Sequence, residues 1–183
     1  MIARMGVIGV VATAILATIF WFTVDRDRRV IIPTTIASLE PPQGYEPSLR
    51  FPGVEDTSSD GSFTLNSFPV QAIGSLGEMF ASVDRATPTL NNRGITVEET
   101  VPITWQGKQV LLFRGKQNND EGVPHEKWIA VFIAERPYMM AFQEPVPGKL
   151  AQEDIIKTFS SLRLNGVATV SYTHLTLPTI YSV

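Results

Sequence analysis

Residues Met5 to Val24 (MGVIGVVATAILATIFWFTV) form twenty consecutive positions without a charge, close to the start of a 183-residue chain. At a rise of about 1.5 Å per residue a helix of that length reaches roughly 30 Å, the hydrocarbon thickness of a bilayer. This segment is expected to be a single-pass, membrane-spanning signal-anchor, with the lipid bilayer as its partner. A cleavable secretory signal would have a shorter apolar core and a small-residue cleavage site. Instead Ile19, Phe20, Trp21, Phe22 and Val24 are bulky, and Trp21 suits the interfacial aromatic belt. The early glutamate and cleavage context of a type IV pilin are both missing from Met1-Ile2-Ala3-Arg4.

Arg4 precedes the segment while Arg26, Arg28 and Arg29 follow it, and a simple positive-inside count would place the remaining chain in the cytoplasm. Asp25 and Asp27 interleave with those arginines, and a short anchor with a basic start commonly exports the domain behind it. The expected location is therefore extracytoplasmic: periplasmic, lumenal or outer-surface. A cytoplasm-facing, membrane-tethered regulator is the alternative.

At the other end, Val170-Ser171-Tyr172-Thr173-His174-Leu175 resembles a translated transposase end sequence from sequencing libraries, and Thr176 to Thr179 continue in the same frame. Residues 166–183 are expected to lie outside the domain, with the adapter-like part starting near 170. His174 is accordingly set aside from any site.

About 140 residues remain, enough for one core and too few for two ordinary domains. The expected division is 1–29 for the anchor and its basic flank, 30–44 for a linker, and 45–165 for an α+β domain. The absence of cysteine excludes disulfides, thiolate metal sites and a cysteine nucleophile. A net charge of −3 and a pI near 5.4 argue against nucleic acid as a partner.

Pro33, Pro41, Pro42, Gly44 and Pro47 mark the linker and an edge segment. Gly53 to Gly61 (GVEDTSSDG) reads as an acidic loop, and Ser62 to Asn66 as a half-buried strand. Ser75 and Glu78 fit a capping box opening a helix whose inward face is Leu76, Met79, Phe80 and Val83. After the turn Asn91-Asn92-Arg93-Gly94, Val97, Val101, Ile103 and Trp105 are expected to point one way along a strand that Pro102 places at an edge. Gln106-Gly107 makes a tight hairpin. Val110 to Phe113 and Trp128 to Ala134 are apolar on successive positions and need cover on both faces. Gly115 to Glu126 reads as a polar loop, Tyr138 to Phe142 as a further strand, and Leu150, Ile155, Ile156, Phe159 and Leu162 as the inner face of a last helix. A mainly antiparallel sheet flanked by helices results from this order.

The chain resembles the α/β/α sandwich family of PsbP of photosystem II, the Ran-binding protein Mog and the bacterial lipoprotein DcrB. The resemblance rests on Pro42-Gln43-Gly44-Tyr45, Ile103-Thr104-Trp105-Gln106-Gly107-Lys108, Phe113-Arg114-Gly115, Lys127-Trp128-Ile129 and Asp154 to Leu162. It covers about 125 residues through patterning, without an invariant chemical motif. It implies a binding or assembly module and transfers no interface residue.

Catalytic constellations are nearly absent from the sequence. His125 is the one histidine left, so a two-histidine metal site is excluded, and a hydrolase would have to pair it with Ser58 or Ser59. Glu98 and Glu99 are expected on opposite strand faces, which prevents a paired acid and base. Asn118, Asn119, Asp120 and Glu121, and separately Asp56 and Asp60, lack the spacing of a calcium loop. Neither GxxxxGK[ST] nor GxGxxG occurs. The expectation is a non-enzymatic, membrane-anchored binding or assembly-accessory protein, with no cofactor, no metal and a protein partner. Its candidate partner site is Trp105, Gln106 and Gly107, because large aromatics beside turns enrich at interfaces. A small-ligand pocket beneath the Gly115 to Glu126 loop is a further possibility.

Overall fold

The computed structural model describes residues 28–164. The apolar segment 5–24 and the tail that contains His174 lie outside the described residues. Among the described residues no helix is long and apolar enough to cross a membrane.

Among the described residues ten strands form two antiparallel sheets, accompanied by three α-helices. The large sheet contains β3 (Glu46–Pro47), β4 (Gly53–Asp56), β5 (Gly61–Ser67), β6 (Thr96–Trp105), β7 (Lys108–Asn118), β8 (Pro124–Ile133) and β9 (Pro137–Pro145), in the spatial order β3-β4-β5-β9-β8-β7-β6. Helices α1 (Ile73–Phe80) and α2 (Val83–Asn92) follow β5, and α3 (Gln152–Ser160) follows β9. A small sheet, β1 (Val30–Ile31), β2 (Ala37–Leu39) and β10 (Arg163–Leu164), is ordered β1-β2-β10.

The side-chain alternation of β7 and β8 explains the layering. Leu112, Trp128, Ala130 and Phe132 face one side, where Ile155, Phe159 and Leu162 from α3 and its end join Ile32, Ala37 and Leu39. Phe113, Ile129 and Val131 face the other, under Phe80 from α1 and Ala86 and Leu90 from α2. Apolar residues on successive positions thus receive cover on both faces, as their sequence requires. The α+β class, the antiparallel sheet and the edge position of Pro102 all stand.

Several local expectations change. Residues 30–44 do not form a linker: Ile32, Ala37 and Leu39 are buried in the main core, and β2 pairs with both β1 and β10. The polar loop expected over residues 115–126 is mostly strand, because β7 and β8 extend through it and leave only 119–123 as the turn. Half of the acidic loop is likewise strand β4. The capping box does not form. The residue before α1 is Ala72, and Ser75 Oγ donates backward to the Ala72 carbonyl at 3.3 Å.

A bulge between Val97 and Glu99 alters β6 more deeply. The extra residue reverses the facing of the rest of the strand, so Val97 packs with the α1–α2 side while Val101, Ile103 and Trp105 pack with the α3 side. Glu98 and Glu99 consequently both reach cations on one face of β7. Glu98 lies 2.8 Å from Lys116 and Glu99 3.3 Å from Arg114.

Candidate functional site

Trp105 is not a surface anchor. It is 2 % exposed, its indole N–H donates to the Leu162 carbonyl at 2.7 Å, and its ring meets Phe132 edge-on at 5.1 Å. The large ring faces the α3 layer because β6 is two-sided after its bulge, and that layer satisfies its polar end. Gln106 and Gly107 are exposed at the hairpin tip, where positive φ angles of 47° and 76° form the two-residue turn. The expected three-residue patch therefore separates into one core residue and two turn residues.

His125 is half-buried, and its Nδ1 lies 3.0 Å from the Val123 carbonyl oxygen. Ser58 donates its amide to Asp56 and Ser59 Oγ accepts from the Gly61 amide, so these hydrogen bonds close the β4–β5 turn and do not reach the histidine. Asn119 uses its side-chain oxygen on the Glu121 and Val123 amides, which shapes the β7–β8 turn. Among the described residues no group of three or more potential ligands is placed to hold a metal.

A polar knot on the α3 side escaped sequence reading. Arg114 donates to Glu126 at 2.9 Å and to Glu99 at 3.3 Å, and its guanidinium lies 5.5 Å from the Trp128 ring centroid. Trp128 donates to the same Glu126 oxygen at 2.7 Å. Glu144 stands directly across from Glu126 in the β8–β9 ladder and accepts the amides of Lys149 and Leu150 at 2.8 and 3.2 Å. Burial, then the charge of Glu144, pushes the nearby Tyr45 phenol up to about 12. Arg114, Trp128, Glu126, Glu99 and Glu144 are engaged with one another or with the backbone, which fits a structural role, whereas the buried Tyr45 hydroxyl has no hydrogen-bond partner among the described residues.

A cleft of about 780 Å³ lies elsewhere, bordered by Thr34, Ile36, Pro52, Leu65, Ser67, Glu135, Arg136 and Tyr138. Four separate segments build it: the β1–β2 turn, the approach to β4, the end of β5 and the β8–β9 turn. None of its walls comes from residues 115–126, where the sequence suggests a pocket. Apolar Ile36, Pro52 and Leu65 alternate around it with hydroxyl, amide and charged groups, a composition suited to binding.

Tyr138 fixes one wall. It is 4 % exposed and donates its hydroxyl to Glu135 at 2.6 Å. That hydrogen bond, more than any other influence, holds the Glu135 carboxyl below the usual carboxylate range. Burial first and Glu135 second push the Tyr138 phenol up to about 12. Linkage fixes the sign of each contribution. A depressed carboxyl contributes stability above its unfolded value near pH 4.3 and loses it as pH falls through the folded value; the raised phenol contributes below about pH 10 and loses it as pH rises through about 12. Tyr138→Phe removes the donor, so the Glu135 carboxyl is expected to titrate at a higher pH. A side-chain carboxyl NMR titration of both forms measures that shift.

The cleft and the N-terminal end of the described chain occupy opposite poles. Arg28, Arg29, Pro42 and Tyr45 border a smaller hollow, and the Tyr45 hydroxyl presses against Gly61 at the start of β5. Leu65 and Ser67 border the cleft at the end of that strand. Six residue steps along β5 separate the poles by roughly 20 Å. Arg29 fixes the N-terminal pole by donating to Glu40 at 2.7 Å and to the Ser161 carbonyl at 2.9 Å.

No family model matches this chain, and no curated protein matches it. Among solved structures it is similar to the crystal structure of LpqN involved in cell envelope biogenesis of Mycobacterium tuberculosis, with a TM-score of 0.37 and 10 % identity. That match covers 68 % of this chain and 76 % of the other.

Proposed function

We propose that this chain is a membrane-tethered, non-enzymatic binding or assembly-accessory domain, with residues 5–24 as the tether and the cleft around Tyr138 turned away from the bilayer. The observation that carries this reading is polar separation. The described chain begins at one end of β5 and the Tyr138 cleft lies at the other, so a tether at the first end leaves the cleft accessible to a partner. The layering of helices on both faces of an antiparallel sheet also fits the sandwich that PsbP, Mog and DcrB share. A protein partner outside the cytoplasm is the preferred assignment; a cytoplasmic regulatory partner is its alternative.

Protease accessibility in intact cells stripped of outer barriers, with a lysed control, tests the placement. Digestion of the domain in the intact sample is the expected result. Protection until lysis would assign the domain to the cytoplasm, as the three arginines after the apolar segment would direct.

A further inference from the structure

The main chain of the cleft suggests which kind of ligand enters it. Phe68 donates its amide to the Pro137 carbonyl at 2.9 Å, which sets the parity of the β5–β9 ladder: even-numbered residues of β5 bond toward β9. Odd-numbered residues bond toward β4, as Leu65 does when it donates to the Pro52 carbonyl at 2.8 Å. Proline has no amide hydrogen to return, so Pro52 leaves the Leu65 carbonyl unanswered across that pair. Strand β4 begins one residue later, at Gly53, and pairs with β5 only from Thr64 backward. Ser67, the next odd position, therefore turns both its N–H and its C=O toward a side of the sheet that β4 never reaches, and Ser67 lies in the cleft wall.

Charge at the rim adds a preference. The Tyr138 hydroxyl binds one oxygen of the exposed Glu135 carboxylate, and no carboxylate stands within ion-pair distance of Arg136 among the described residues. Arg136 offers guanidinium donors at the mouth, which suit a carboxylate.

We propose that the cleft receives a short extended peptide of a partner protein, added as a strand to β5 through the main chain of Ser67 and the carbonyl of Leu65, with an acidic peptide side chain at Arg136. This deepens the binding assignment above and rests on it. Strand addition takes its affinity from main-chain hydrogen bonds and its selectivity from neighbouring side chains.

The test pans the full chain in detergent micelles against displayed random decapeptides and titrates a synthetic copy of the selected sequence. Acid-containing peptides are expected, and binding should slow amide exchange at Ser67. Ser67→Pro, which removes an amide that the fold does not use, should weaken binding about tenfold, the order of one lost hydrogen bond plus a steric block. An N-methyl scan of the peptide gives the same readout on unaltered protein: one or two methylated amides should each cost a similar factor. Failure to select any peptide overturns the proposal. Selected peptides that compete with one another and weaken with Arg136→Glu, but ignore Ser67→Pro and N-methylation, overturn strand addition while leaving the cleft as a binding site. Peptides insensitive to all three changes overturn both.

Discussion

Replacing Gly53 with alanine is expected to destabilise the domain by about 3 kcal/mol or more, with a fall of about 10 °C in the thermal midpoint. An alanine Cβ there would lie 2.0 Å from the Phe63 carbonyl oxygen and 2.9 Å from the Phe51 ring. The first neighbour is backbone, so β4 would have to move away from β5, carrying the Pro52 wall of the cleft with it. Gly74, exposed in α1 with nothing within 4 Å of its would-be Cβ, is the internal control. Gly74→Ala should stabilise by about 0.5–1 kcal/mol, because alanine loses less backbone freedom in a helix. Thermal scans of the two variants should move in opposite directions.

The second large effect is at Trp105. Truncation to alanine removes a fully buried ring from the α3 side of the sheet and is expected to cost about 3–5 kcal/mol in urea titrations. Trp105→Phe should cost less: it keeps an aromatic ring near Phe132 but leaves the Leu162 carbonyl without its donor, a loss of about 1–3 kcal/mol. A surface partner anchor would behave differently, leaving stability nearly unchanged in both variants.

Trp105 also illustrates how far the sequence can be read. Its strand, edge position and hairpin are legible from alternation, from Pro102 and from Gln106-Gly107, since each is a local signal. Its neighbours across the layer are not, because Leu162 lies 57 residues away. The bulge at Glu98 is equally hidden. Nothing in Thr96 to Trp105 announces the extra residue that turns Val97 to the other face, and it shows only in the pairing with β7. The apolar stretches of β7, β8 and β9 are the clearest elements, because runs of apolar residues on successive positions permit little other than a strand covered twice, whereas the polar ends of β7 and β8 carry no such signal and read as loop.

The segment 30–44 resists reading for a related reason. Strands of two and three residues among prolines carry almost no periodicity, and β2 is held by Arg163 and Leu164 from the far end of the domain. The cleft is illegible on the same grounds: Thr34, Pro52, Ser67 and Arg136 come from four segments, and no window of sequence contains more than one wall. Tyr138 stands out beside a turn, yet its role depends on Glu135 three residues back, a contact made across the β8–β9 turn.

The orientation of the cleft relative to the bilayer is the most direct test. The chain contains no cysteine, so single labels at Gln43→Cys and Thr34→Cys, both exposed, mark the N-terminal and cleft poles without background. With the full chain in vesicles that carry a headgroup quencher, the label at position 43 should be strongly quenched and the label at position 34 should stay bright. Equal quenching, or the reverse order, would contradict a tether that turns the cleft toward a partner.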